Sequence, residues 1–216
     1  MNKKPYLQIA LDSLSYEDAF RSLGNGLDNV VDIVEVGTTF LLMEGLRAVD
    51  IFRTIYPNKI LVADFKCIAA HFGSEILKKN PDLLTVLSAA EPLVPKMISE
   101  EALKRGQGQE VQIELYGDKW TWDDVQEWKE MGIKHIVYSR SRLEKGPWNI
   151  ENVSAMQRLC DSGWEVTATG GVTYDDLEIL AGLPLFAIIC GRSVRNAENP
   201  AAEALRIKEK INQLWN

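Results

Sequence analysis

Asp64 and Lys66 stand two residues apart at the end of an apolar run, ILVADFK, and this pairing is the first sign of chemistry in the chain. Side chains alternate between faces along a strand, so the carboxylate and the ammonium are expected on one face. Glu35 sits inside VDIVEV, Glu114 inside VQIEL, and Asp12 closes LQIAL. Ionisable groups flanked by Val, Ile and Leu are costly to bury without partners. Glu35, Asp64 and Lys66 are therefore expected to neutralise one another or to hold a cation, either as a structural ion-pair cluster or as a working site. A further run, HIVY, leads into Ser139, Arg140 and Arg142. Two glycine signals complete the set: Thr169-Gly170-Gly171 and Gly191-Arg192-Ser193. Glycine lets backbone N–H groups approach a phosphate closely, and a following helix N-terminus favours the anion. The expected ligand is a phosphorylated small molecule.

These residues need elements that bring them to one place. Short apolar runs rich in Val and Ile occur at 6–11, 31–36, 60–63, 83–87, 111–115, 135–138, 166–168 and 185–190. They start roughly 20 to 30 residues apart, the length of one βα unit. The segments between them read as amphipathic helices, such as Ala48, Val49, Phe52 and Ile55, or Val125, Trp128 and Met131. Ser15 with Asp18, Thr121 with Asp124, and Thr173 with Asp176 have capping-box spacing, and Asn199 before Pro200 opens the last helix. Eight such units in 216 residues predict an α/β chain folded as a single (β/α)8 TIM barrel over 1–216. A doubly wound open sheet fits the even spacing less well. In a parallel barrel the active site lies at the carboxyl ends of the strands, where Asp12, Glu35, Asp64, Lys66, Glu114, Ser139 and both glycine segments fall.

The bulk composition excludes several functions. With 46% hydrophobic and 25% charged residues the chain has a globular composition, and a net charge of −7 without basic runs argues against nucleic acid. No apolar stretch approaches the roughly 20 residues that span a bilayer, so neither a membrane partner nor a signal peptide is expected, and the expected location is cytoplasmic. Cys67, Cys160 and Cys190 are odd in number and widely spaced, which predicts reduced thiols. Trp120, Trp122 and Trp128 are expected to pack a helix and the loop after the fifth strand, and His135 to be structural.

LQIALD at 7–12, VDIVEVGT at 31–38, EGLRAV at 44–49, VQIELYGDKWTW at 111–122, TATGGV at 167–172, ICGRSVRNAENPAAEA at 189–204 and LWN at 214–216 carry a resemblance. Through nearly its whole length the chain resembles the orotidine 5'-monophosphate decarboxylase suprafamily, and within it the 3-keto-L-gulonate 6-phosphate decarboxylases. The resemblance implies a barrel enzyme of L-ascorbate and pentose catabolism, a homodimer with shared active sites. Such enzymes use Mg²⁺ to stabilise the cis-enediolate left when carbon dioxide departs, and the product would be L-xylulose 5-phosphate. Glu35 and Asp64 would hold the Mg²⁺. Asp64, Lys66, Glu114 and Arg142 would form the catalytic group. Asp12, Ser139, Thr169, Gly170, Gly171, Gly191 and Arg192 would bind the substrate.

Two positions depart from the family pattern. The signature Asp-x-Lys-x-x-Asp reads Asp64-Phe65-Lys66-Cys67-Ile68-Ala69, so the last acid, which in the family reaches the partner's site, is alanine. The Tyr-His-x-Ser-Arg segment reads Tyr138-Ser139-Arg140-Ser141-Arg142 and lacks the histidine that helps deliver a proton. A serine hydroxyl is far too weak an acid to replace an imidazolium. The connection through 143–148 is also shorter than the family's. Together these changes predict a large loss of the usual activity, with His71 a candidate to compensate near Ala69. Two alternatives stay open: an aldolase of the hexulose 6-phosphate synthase kind, and a non-catalytic paralogue that binds a sugar phosphate.

Overall fold

The computed structural model describes residues 4–141 and 146–216. Strands β1 (Tyr6–Leu11), β2 (Ile33–Val36), β3 (Ile60–Cys67), β4 (Leu83–Leu87), β5 (Glu110–Leu115), β6 (His135–Ser139), β7 (Glu165–Thr169) and β8 (Ala187–Cys190) pair in parallel, in chain order, and β8 returns to β1 to close a barrel. Helices α1 (Tyr16–Leu23) and α2 (Leu27–Val30) follow β1, α3 (Thr38–Glu44) and α4 (Arg47–Ile55) follow β2, and α5 (Ala70–Leu77), α6 (Val94–Arg105), α7 (Trp122–Glu130) and α8 (Ile150–Asp161) follow the next four strands. Then α9 (Leu177–Leu180) follows β7, and α10 (Arg192–Arg195) and α11 (Pro200–Leu214) follow β8. The expected TIM barrel is observed.

Outward strand residues and inward helix faces make one apolar layer around the barrel. Ala48, Val49 and Phe52 of α4 are buried as their spacing requires, whereas Ile55, the last residue of the helix, is exposed. Phe52 meets Phe40 and Phe20 at ring-centroid separations of 5.7 and 5.4 Å, and a buried aromatic of this kind contributes about 1.5–3 kcal/mol. The Thr121 and Asp124 side chains form the expected reciprocal cap on α7, and Ser15 caps α1. Thr173 donates through N and Oγ1 to Asp176 Oδ2 across the turn that leads into α9, and Asp176, the N-cap residue, makes no side-chain cap to the helix itself. Trp215 is buried after α11 and its Nε1 donates to Leu183 O at 2.7 Å.

Inside the barrel the layers differ in polarity. Ile33, Val62, Leu83, Phe186 and Ala187 form an apolar floor at the amino ends of the strands. Further along come buried Gln8, Glu35, Thr85, Gln112 and Thr167. Gln112 Nε2 donates to Thr85 Oγ1 at 2.8 Å. His135 lies at the floor, its Nε2 2.9 Å from Glu110 Oε2 and its ring 4.7 Å from that of Phe186, the structural role expected of it. Cys67 and Cys190 are buried, and all three cysteines are free thiols. No helix among the described residues is long and apolar enough to cross a membrane.

Strand β3 is irregular where it matters. Ala63 pairs with Leu84, but the next pair is Cys67 with Val86, so β3 spends two more residues than β4 over the same span. Lys66, in this bulge, has φ of +57°, a left-handed conformation that costs an ordinary residue of order 1 kcal/mol.

Candidate functional site at the carboxyl ends of the strands

Lys66 is the centre of the site. Its Nζ donates to Asp64 Oδ1 at 3.0 Å and to Glu114 Oε2 across the barrel mouth. Regular alternation was the expected reason for Asp64 and Lys66 to share a face. The bulge and the left-handed turn at Lys66 bring them together instead. The expected mutual neutralisation of Glu35, Asp64 and Lys66 is also revised: the ammonium is bonded to Asp64 and Glu114, while Glu35 Oε2 accepts from Gln8 Nε2 at 2.6 Å. Thr38 Oγ1 lies 2.8 Å from Asp64 Oδ2 and 2.7 Å from Asp64 O, and shares its one hydrogen between them.

Burial and like charge set the protonation of this group. Glu35 is held well above the usual carboxylate range, first by burial and then by the charge of Asp64, with Lys66 and Gln8 opposing. Glu114 is raised by burial, and Lys66 and a hydrogen bond from Ser139 pull it back. Burial pushes Lys66 down, but Asp64, Glu114 and Glu35 outweigh it and hold the ammonium above its ordinary value. The lysine is thus a fixed positive charge. Three carboxylates against one ammonium still leave two negative charges uncompensated when all are ionised.

Asp12 is half-buried beside β2. A Cβ on Gly37 would lie 2.6 Å from Asp12 Oδ1 and 2.7 Å from Leu11 O, so glycine is required for the carboxylate to sit against this backbone. On the other side of the mouth, Thr169 and Gly170 are half-buried and Gly171 is exposed, with φ of +108° and +82° at the two glycines. Gly191 precedes α10, whose first residue, Arg192, is exposed. Ser193 Oγ donates to Val172 O at 2.8 Å and joins the two glycine segments. Arg142 lies outside the described residues, as do residues 143–145 of the connection expected to be short.

Gln8, Thr38 and Gly37 were not singled out by sequence reasoning. Thr38 lies two residues past the carboxyl end of β2, a position that could have pointed to it; an amide within LQIAL carries no comparable mark. Ala69 is the N-cap residue of α5 and offers no side-chain cap. His71 is exposed in the first turn of α5, its ring centroid 4.1 Å from that of Phe72. Trp120 and Trp122 pack edge to face at 5.3 Å, and Arg158 lies 3.7 Å over the Trp122 ring, so these tryptophans join the β5 loop to α8.

The family model described as orotidine 5'-phosphate decarboxylase / HUMPS matches residues 5–207, nearly the whole barrel. The chain belongs to this family. A curated member, the 3-keto-L-gulonate-6-phosphate decarboxylase UlaD of Salmonella paratyphi B, is 39% identical over 98% of both chains. Among solved members, KGPDC from Streptococcus mutans in complex with D-R5P superposes with a TM-score of 0.93 at 32% identity, covering 99% of this chain and 100% of its own. The 3-keto-L-gulonate-6-phosphate decarboxylase from Vibrio cholerae gives 0.88 at 31% identity, with the same coverage. Agreement over both whole chains shows that the barrel architecture is shared.

Proposed function

We propose that the chain is a carbon–carbon lyase that decarboxylates 3-keto-L-gulonate 6-phosphate to L-xylulose 5-phosphate. The observation that carries this reading is the ammonium of Lys66 fixed between two buried carboxylates at the carboxyl end of the barrel, in a chain similar over its full length to enzymes named for that reaction. A preorganised positive charge at the place where negative charge develops lowers a barrier by several kcal/mol. Glu114, steadied by Ser139, holds the ammonium in position. Asp12 would orient the sugar chain, and Gly171, Gly191 and Arg192 would hold the phosphate.

The donor set fits Mg²⁺. Among the described residues no three His, Cys, Asp or Glu side chains converge as a ready-made cage. A hard cation here would be held by Glu35 and Asp64, with oxygens from ligand and water completing its shell. Glu35 and Asp64 repel each other when both are ionised, and a divalent ion held between them would relieve that repulsion. When bound, it supplies a Lewis acid for the oxygens of the sugar next to the leaving carboxylate. Gln8 would steady Glu35 and Thr38 would steady Asp64 as ligands, since each already bonds its carboxylate.

The surface supports a second copy as partner. Leu42 and Met43 of α3, Ile68 and Phe72 after β3, and Leu93 and Met97 after β4 are all exposed large apolar residues on neighbouring connections at the mouth. Such apolar exposure marks an association surface, and a homodimer would cover it. Ala69 and His71 lie on this same face.

The deciding assay follows carbon dioxide release from 3-keto-L-gulonate 6-phosphate with Mg²⁺ and with EDTA, for the native protein and Ala69→Asp. Metal-dependent release by the native protein is expected, with faster turnover in Ala69→Asp, where an acid returns to the family position. Silence from both proteins would refute the decarboxylase. Formaldehyde-dependent loss of ribulose 5-phosphate would then identify an aldolase, and ligand binding without turnover a sugar-phosphate-binding protein.

A further inference from the structure

Arg140 joins the connection after β6 to the glycine turn after β7. Its backbone N donates to Thr169 O at 3.0 Å, which extends the β6–β7 pairing by one residue. Its side chain then reaches two carbonyls: Nε donates to Gly170 O at 3.3 Å and Nη1 to Gly146 O at 2.5 Å. The guanidinium carbon lies 5.7 Å from the centre of the Trp148 ring, and Trp148 is buried in the core. The turn is packed flush on this residue. A Cβ on Gly170 would sit 2.6 Å from Arg140 O and 2.7 Å from Arg140 N and Cβ. No side chain of any size fits there. The remaining corner, Nη2, lies 3.9 Å from where a Cβ on Gly171 would be.

A planar guanidinium donates along fixed, divergent directions, so one arginine can hold two backbone segments at a set separation. A lysine carries all its donors on one nitrogen and cannot match the two separate positions, Nε and Nη1, that Arg140 uses here. We propose that Arg140 is a positioning residue that locks the Gly170–Gly171 turn to the Gly146 end of the β6 connection, so that the two segments are ordered together and phosphate recognition depends on both. Its importance for the ligand rests on the proposed phosphate role of Gly171. Its role as a strut does not. Arg140 acts through the backbone it holds, and Nη2 adds a positive charge beside Gly171.

The test compares native protein with Arg140→Lys, which keeps the charge and aliphatic stem, and Arg140→Ala. Amide hydrogen exchange without ligand is expected to quicken at least tenfold in 146–148 and in 169–172 together, in both variants, with the rest of the barrel unchanged. Exchange that stays as in the native protein, or quickens in one segment alone, overturns the strut. Steady-state kinetics with 3-keto-L-gulonate 6-phosphate should show KM raised at least tenfold with kcat within threefold, and millimolar guanidinium, but not ammonium, should restore KM in Arg140→Ala. An unchanged KM, or a fall in kcat alone, overturns the link to phosphate recognition. A native protein that neither binds nor turns over a sugar phosphate refutes the proposed function, and the exchange result then decides the strut by itself.

Discussion

Replacing Lys66 with methionine removes the one cation bonded between Asp64 and Glu114 while keeping a chain of similar reach. At 3.0 Å, and with an effective dielectric constant of about 20, the Lys66–Asp64 attraction alone is about 5.5 kcal/mol. The variant would not lose all of this, because the abandoned carboxylates can take up protons. Breaking a buried pair from one side costs about 3–5 kcal/mol. The pH dependence separates this reasoning from a simple packing loss. Lys66 lowers both Glu35 and Glu114, so its removal drives both carboxyls further above their unfolded values. A carboxyl whose folded pKa is raised is destabilising above its unfolded pKa, where the unfolded chain ionises freely and the folded one does not. The deficit of Lys66→Met relative to native protein should therefore widen from pH 5 to pH 8. In the native protein, the raised Lys66 contributes stability throughout this range, since it remains protonated below its unfolded pKa. Urea unfolding of both proteins at pH 5, 6.5 and 8 measures the difference directly. A deficit independent of pH, or larger at pH 5, refutes the electrostatic account. Turnover by the variant should fall by about 10²-fold or more, the scale of losing one preorganised charge donor.

Gly37→Ala should destabilise the chain by about 1–3 kcal/mol and weaken substrate binding, because the new Cβ meets Leu11 backbone as well as Asp12; thermal unfolding and KM report the two effects. Burial lowers His135, so the folded protein keeps it neutral where the unfolded chain takes a proton. Stability should then fall as pH drops below 6.5, by at most about 1.4 kcal/mol per pH unit from this residue, and His135→Gln should abolish that component. Glu110 has a lowered pKa and contributes only in more acid solution, and the raised Glu35 and Glu114 act alike in both proteins, so the difference between native protein and His135→Gln across pH 5 to 7.5 isolates the histidine.

The fold was legible because parallel strands covered on both sides read as continuous apolar runs, and LLTVL or IIC needs no partner to be recognised. The ends of runs gave Asp12, Asp64 and Lys66 for the same reason: polar residues stop an apolar segment where it reaches water. Other features depend on pairing between distant segments. The run at 60–63 hides four further residues of β3, because Asp64, Phe65 and Lys66 belong to a bulge that exists only against β4. Gln8 holds Glu35 from 27 residues away, a partnership no local pattern encodes. The exchange of lysine partners, Glu114 in place of Glu35, follows from which strands face each other across the mouth. Arg140 reads as one more base in a polar stretch until Gly170 and Gly146 are placed against it.

The closure of the barrel between β8 and β1 also shapes how the chain reaches its structure. Tyr6 pairs with Ala187, and Lys208 of α11 bonds Asp32, 176 residues away. Neither edge of the growing sheet has its neighbour until the last strand has formed. During synthesis β1 therefore exposes an unpaired hydrogen-bonding edge and an apolar flank for nearly the whole length of the chain. Contacts of such long sequence separation slow folding and lengthen the interval in which edges can pair wrongly. The Trp215–Leu183 clasp closes behind this seam. Loss of the last turn of α11 should show itself less in the finished barrel than in the yield of chains that complete it.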